Sequence, residues 1–209
     1  LDHVPFSKID LEQYLPELDK LITLSKERIN EIKAEQNSSF ENTILKLEES
    51  SKELGLLAGI FFNLNSAETS DRMQEIARDF SAKLTKYDND VNLDGELFGK
   101  LQAVYNQKES LDLDEESLRV LEKHFDDFSR NGALLGDDKK EDLRALDEKL
   151  AQTSLSFGEN LLSETKAFEI FLNDDEVKGL PEGIKESFKE AATEKDHDGK
   201  FLVNLDYPS

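Results

Sequence analysis

The sequence contains no cysteine and no tryptophan, one methionine and three histidines in 209 residues. Without cysteine there is neither a disulfide nor a thiolate metal site. The histidines are His3, His124 and His197, and no two stand at the spacing of helix-borne metal ligands. HExxH, GxSxG, a Walker loop and a dinucleotide-binding glycine fingerprint are all missing. No apolar run reaches the ~18 residues that a membrane helix needs. Basic residues are scarce: 26 Lys and Arg face 47 Asp and Glu, a formal charge of −21. Such a surface repels phosphate backbones and anionic bilayers, so nucleic acids and membranes are poor candidates as partners. The chain starts at Leu1 rather than at methionine. A missing leader therefore excludes none in a longer parent.

Only four prolines and ten glycines interrupt the chain, and 35% of it is charged. That composition suits amphipathic helices. Asp10 is placed to cap a first helix carrying Tyr14, Leu15, Leu18, Leu21, Ile22, Ile29 and Ile32 at three- and four-residue steps. Ser39 caps a second, with Ile44, Leu45, Leu47, Leu54, Leu57, Ile60, Phe61 and Leu64 as its apolar residues. Gly55 and Gly59 interrupt it on one face, where another helix could approach closely. A third helix starts near Thr69 or Ser70 and carries Met73, Ile76, Ala77, Phe80, Leu84, Tyr87 and Val91. Asp94 caps a fourth and Asp114 a fifth, which stops at Asn131-Gly132. Asp137 or Asp138 opens a long sixth, with Leu143, Leu146, Leu150, Phe157 and Leu161 on its apolar side.

The pattern changes after residue 165. Ala167–Leu172 and Phe201–Leu205 are short, aromatic and branched, and read as strands. Ile184–Lys195 between them reads as a short helix. The expected fold is mainly α: an array of about six long, antiparallel-type helices with a small C-terminal α+β appendage containing a strand pair. The expected domains are 1–165 and 166–209.

Chemistry is thinly represented. His124 and Asp127 could share a helix face, as a metal pair would, but a solvated histidine on an acidic helix is far commoner. Glu194, Asp196 and Asp198 with Gly199 resemble half an EF-hand loop. Leu205 stands where calcium needs a glutamate, so the segment reads as a turn before a strand. Carboxylates crowd every helix and no pair stands out as an acid–base dyad. The residues alone assign no catalytic site and no metal site.

The run FFNLNSAET (61–69) is the exception to the charged pattern. Ile60, Phe61 and Leu64 continue the second apolar stripe, which predicts burial. Phe62, Asn63, Asn65 and Ser66 fall off it at a helix end. Two roles compete for these four: ending one helix and starting the next, or lining a site.

SFENTI (39–44), FFNLNSAET (61–69), LFGKLQAVYNQKESLDLDEESLRVLEKHFDDFSRNGALL (97–135) and LSFGENLLSETKAFEI (155–170) occur in that order. Together they resemble the N-terminal helical portion of the M3 family of zinc metallopeptidases. The nearer branch is that of oligopeptidase A and peptidyl-dipeptidase; thimet oligopeptidase and neurolysin are more distant. The resemblance implies a helical ellipsoid split by a deep channel, in which zinc-bound water cleaves short peptides. It implies that these helices form a channel wall restricting access. The zinc ligands and general base belong to a C-terminal catalytic portion that this chain lacks. No catalytic or metal-binding residue is carried over, and the chain alone is expected to be inactive. The implied partners are that catalytic portion and short peptides, and the expected location is the cytoplasm, with the periplasm or another exported space open. A free-standing acidic helical interaction module is the other reading.

Overall fold

The computed structural model describes Val4 and residues 6–205. His3 lies outside the described residues. The Asp10 carboxylate accepts from the Glu12 amide at 3.0 Å and opens a 3₁₀ turn, Leu11–Gln13. That turn runs directly into α1, Tyr14–Ala34. Pro16 falls in the first turn of α1, where its missing N–H costs nothing. Ser39 starts the next segment with a reciprocal cap: its hydroxyl accepts from the Asn42 amide at 3.2 Å, and its own amide donates to Asn42 Oδ1 at 2.8 Å.

The expected second helix is broken. Phe40–Leu45 is a π-helical turn, Lys46–Ser50 a short α2, and Lys52–Ala67 is α3. At Ser51 the backbone leaves the helical region, at φ −116° and ψ 14°. The Ser50 hydroxyl donates to the Leu47 carbonyl at 2.7 Å, competing with the helix's own ladder. The carbonyls freed at Glu49 and Ser50 accept from the Arg28 guanidinium at 3.3 and 3.2 Å, which also pairs with Glu53. Arg28 on α1 thus caps the break. The close approach expected at Gly55 and Gly59 is also overturned: both are exposed, and a methyl group on either would meet nothing within 4 Å.

The remaining caps follow the sequence. Ser70 accepts from the Met73 amide and starts α4, Asp71–Asn92. Asp94 accepts from the Glu96 and Leu97 amides and starts α5, Gly95–Tyr105. Asp94 also takes a 2.7 Å hydrogen bond from Lys33 at the end of α1. Burial alone would raise its carboxyl, but Lys33 and the two amides hold it below the usual carboxylate range. Asp114 starts α6, Glu115–Arg130, and α7 is Asp137–Ala167.

Two compact units divide the chain, Leu1–Gln152 and Thr153–Ser209. The first is built on two apolar clusters. Tyr14, Leu18, Leu54, Phe61, Met73, Ile76, Phe80 and Tyr87 join the first half of α1 to α3 and α4. Ile29, Ile32, Phe40, Ile44, Leu47, Leu97, Leu101, Leu121 and Phe128 join its second half to the π turn, α2, α5 and α6. Between the clusters Ser25 and Tyr87 share a 2.5 Å hydrogen bond, and Lys26 pairs with Asp90 at 2.7 Å.

The first half of α7 is held by polar contacts. Lys140 donates to the Leu93 carbonyl at 2.9 Å and Arg144 to Asp90 at 2.9 Å. Leu143 is half-buried, whereas Leu146 and Leu150 are 63% and 64% exposed. The apolar side expected of this helix is therefore turned largely to solvent here.

In the second unit β1 (Glu169–Leu172) pairs antiparallel with β2 (Phe201–Asn204), Ile170 opposite Val203 and Phe171 opposite Leu202. Both strands are shorter than the apolar runs that announced them; β1 starts late because α7 extends through Ala167, and β2 ends one residue early at Asn204. Between them α8, Glu182–Glu194, packs on β2. Val177, Ala192, Phe201 and Leu202 form the small core. Phe157 and Leu161 on α7 are exposed in this unit too.

Candidate functional site

The run at 61–69 divides sharply. Phe61 is fully buried, stacked on Phe80 with centroids 4.4 Å apart and edge-on to Tyr14 at 4.8 Å. Phe62, expected off the stripe, is half-buried and edge-on to both Phe61 and Phe80 at 5.3 and 5.5 Å. Aromatic rings tolerate such a flanking position because the edge-to-face contact needs only one side covered. Ile60 and Leu64 are half-buried rather than buried. Asn63 and Ser66 are exposed, three residues apart and so on one face of α3. Asn65 is half-buried, and its side-chain oxygen accepts from the Thr69 hydroxyl at 3.1 Å across the turn into α4. The structure thus gives Asn65 a helix-end contact and leaves Asn63 and Ser66 at the surface.

One turn before Asn63, Ile60 lines a recess of about 610 Å³ together with Ile9, Tyr14, Pro16 and Leu57. Its rim carries Lys8, Glu12, Glu17 and Lys20. Tyr14 is almost fully buried, and its hydroxyl finds no partner among the described residues. Burial pushes its pKa up. The sequence signals Tyr14 only as a core residue, because the recess wall comes from the start of α1 and the middle of α3.

A second recess, of about 380 Å³, opens between α4, the end of α6 and α7. Thr85, Asp88, Asn89, Asn92 and Asn131 give it a polar floor, and Leu143, Leu150 and Ala151 an apolar wall. Arg130 and Asp147 complete it. Asp88 and Asn92 also line a neighbouring recess of about 300 Å³ that contains Glu48, His124 and Asp127. Protein atoms crowd the Asp88 carboxyl, and desolvation pushes it up to about 6. Yet the residue as a whole is exposed to solvent, which heavily discounts the energetic weight of that shift.

The sign of its effect is fixed. A carboxyl whose folded pKa lies above its ordinary value of 3.8 holds its proton more tightly in the folded state. The stability this contributes is present below the ordinary value and is lost as pH rises through about 6. Urea unfolding between about pH 4 and pH 7 should show a loss of ~1 kcal/mol from this group after solvent screening. Asp88→Asn should remove that part of the slope; an unchanged slope would assign it to other groups.

The other candidates do not assemble a metal centre. His124 Nε2 lies 2.8 Å from Glu48 Oε2, an ion pair whenever the imidazole is protonated. The turn at 194–199 has Asp196 at φ +62° and Gly199 at φ +79° and leads into β2, as the turn reading expects. His197 lies against the Phe171 ring, centroids 4.0 Å apart. Among the described residues no group of three His, Cys, Asp or Glu could hold a metal ion. The residues present therefore do not fit a zinc centre. No described helix is long and apolar enough to cross a membrane.

No family model matches the chain. Curated relatives do. A dipeptidyl carboxypeptidase of Escherichia coli (strain K12) is 35% identical over 202 residues, 96% of this chain and 30% of the relative. An oligopeptidase A of Haemophilus influenzae is 26% identical over 98% of the chain and 30% of its own length. A probable cytosolic oligopeptidase A of Arabidopsis thaliana is 23% identical over 100% of the chain and 31% of its own. The chain thus spans less than a third of the length of these relatives.

Proposed function

Because its homologues over 96–100% of its length are dipeptidyl carboxypeptidase and oligopeptidase A, enzymes of the M3 peptidase family, we propose that this chain is the N-terminal, non-catalytic portion of such an enzyme. In this reading residues 1–165 form a wall of the substrate channel, and 166–209 extend toward a catalytic portion that carries the zinc. The whole enzyme hydrolyses short peptides, and this wall restricts access to them. The observation that carries the reading is the match itself: near-complete coverage of this chain against 30% of the relative.

The physical features are compatible. Zinc hydrolysis needs a metal with an open coordination position. The described residues offer no ligand group, so no chemical step is assigned to them. A wall needs only braced helices, and α1 is tied to α3 through Arg28 and to α4 through Lys26 and Ser25. Phe62, Asn63, Asn65 and Ser66 are the proposed channel edge. Asn63 and Ser66 have free surface for peptide backbone, while Phe62 and Asn65 hold the helix end that presents them.

The test compares the full-length polypeptide with the 209-residue chain on a fluorogenic peptide. Full-length protein is expected to hydrolyse it and to lose activity to a chelator; the chain alone is expected to be inactive. Asn63→Ala with Asn65→Ala in the full-length protein should raise KM about threefold at unchanged kcat. Steady, chelator-sensitive hydrolysis by the pure 209-residue chain would sink the reading. An unchanged KM would restrict the asparagines to the helix end.

A further inference from the structure

The first half of α7 leaves part of its apolar side uncovered in its own unit. Its polar side chains reach inward, Lys140 to the Leu93 carbonyl and Arg144 to Asp90. Leu143 is half-buried beside them, but Leu146 and Leu150 stay 63% and 64% exposed. Two neighbouring leucines are thus left in water, where covering them would be favourable. Beside them lies the recess floored by Asp88 and Asn92, with Leu150 in its wall.

Asp88 completes the pattern. Its crowded carboxyl has desolvation as its sole cause of shift, and no hydrogen bond or ion pair to it is found among the described residues. The other charged groups facing the recess are Arg130 and Asp147; Glu48, His124 and Asp127 face the adjoining one. Asp90, two residues away, has two cations, Lys26 and Arg144. Asp88 has none. An apolar ridge next to a crowded, unpaired carboxylate complements a surface that is apolar with one cation.

We propose that Leu146, Leu150 and the recess at Asp88 seat the remaining part of the same polypeptide, which brings an apolar side chain to the leucines and a lysine or arginine to Asp88. This rests on the peptidase reading above. The occupant follows from length: the relatives run to roughly three times this chain, as its 30% coverage of them implies. A polypeptide of that size has ample surface to cover the ridge, and a cation there would offset the desolvation of Asp88.

Thiol labelling tests it, since the 209 residues contain no cysteine. Leu146→Cys and Leu150→Cys are made separately in the 209-residue chain and in the full-length protein, with any other cysteine of the latter replaced. Both sites are expected to label at least about tenfold more slowly in the full-length protein. Asp88→Asn in that protein should speed labelling at position 146 by about threefold, the cation having lost its partner. Equal rates in the two forms overturn the proposal, and an Asp88→Asn variant without effect overturns its cation. Protection that appears in the 209-residue chain alone as its concentration rises would make a second copy the occupant, and the proposal wrong. Hydrolysis by full-length protein with both leucines unprotected rejects this inference alone. Protection without hydrolysis rejects the peptidase reading alone.

Discussion

Phe61→Ala is expected to lower the unfolding free energy of the 209-residue chain by about 4 kcal/mol, read from the midpoint of a urea titration. Phe61 has no exposed surface. Its ring stacks on Phe80, meets Tyr14 and Phe62 edge-on, and so joins α1, α3 and α4 at one point. Truncation removes the transfer free energy of a whole aromatic ring and leaves a cavity that three helices would have to close. Aromatic pairing adds ~1 kcal/mol beyond area for each good contact. The helices cannot collapse freely, because Ser25, Lys26 and Arg28 hold α1 in place against α4 and α3. A loss under about 1 kcal/mol would mean that Phe62, already half-buried beside the cavity, swings in to fill it.

Gly132→Ala is expected to cost about 2–3 kcal/mol, with Gly136→Ala as its control. Gly132 follows α6 at φ +96°, a left-handed conformation that L side chains rarely adopt. The Ala133 amide donates back to the Phe128 carbonyl at 3.0 Å, which closes the helix end only if the glycine keeps that conformation. An added methyl group would also stand 2.6 Å from Leu143 Cδ2 and 3.1 Å from methyls of Leu93 and Leu135. Leu143 Cδ2 is the far end of a flexible side chain and can shift toward the recess it lines, so the left-handed φ carries most of the cost. Gly136 has no such φ and no neighbour within 4 Å of the methyl position. Its substitution should stay within about 0.5 kcal/mol. Equal effects at the two positions would remove the conformational argument.

The helix starts were legible because each is a local event. Asp10, Ser39, Ser70, Asp94 and Asp114 accept from amides two or three residues ahead. The strand pair was legible for the same reason: aromatic and branched residues cluster over a few positions. What the sequence hid is what depends on distant neighbours. The break at Ser51 is stable because Arg28, more than 20 residues earlier, receives its carbonyls. Gly55 and Gly59 share a face by spacing, but no helix comes to that face. The leucines of α7 have the period of a buried stripe, yet Leu146, Leu150 and Leu161 are exposed; periodicity alone does not say what covers such a stripe. The recess at Asp88 combines α4, α6 and α7, whose lining residues are up to 66 positions apart, from Thr85 to Ala151. No local pattern announces such a place. The candidate edge at 62–66 was half legible: its surface groups could be told from the apolar period, but not the partial burial of Phe62.

Helix α1 gives Tyr14 and Leu18 to one apolar cluster and Ile29 and Ile32 to the other. It behaves as a shared axle. Neither cluster can loosen without disturbing the register of the helix on which the second depends. The middle of that axle is clamped to α4 by Ser25 and Lys26. A strain entering at one end is therefore passed along a rigid rod instead of being absorbed in a loop. The two clusters are therefore expected to melt together, with probes in each giving coincident urea transitions.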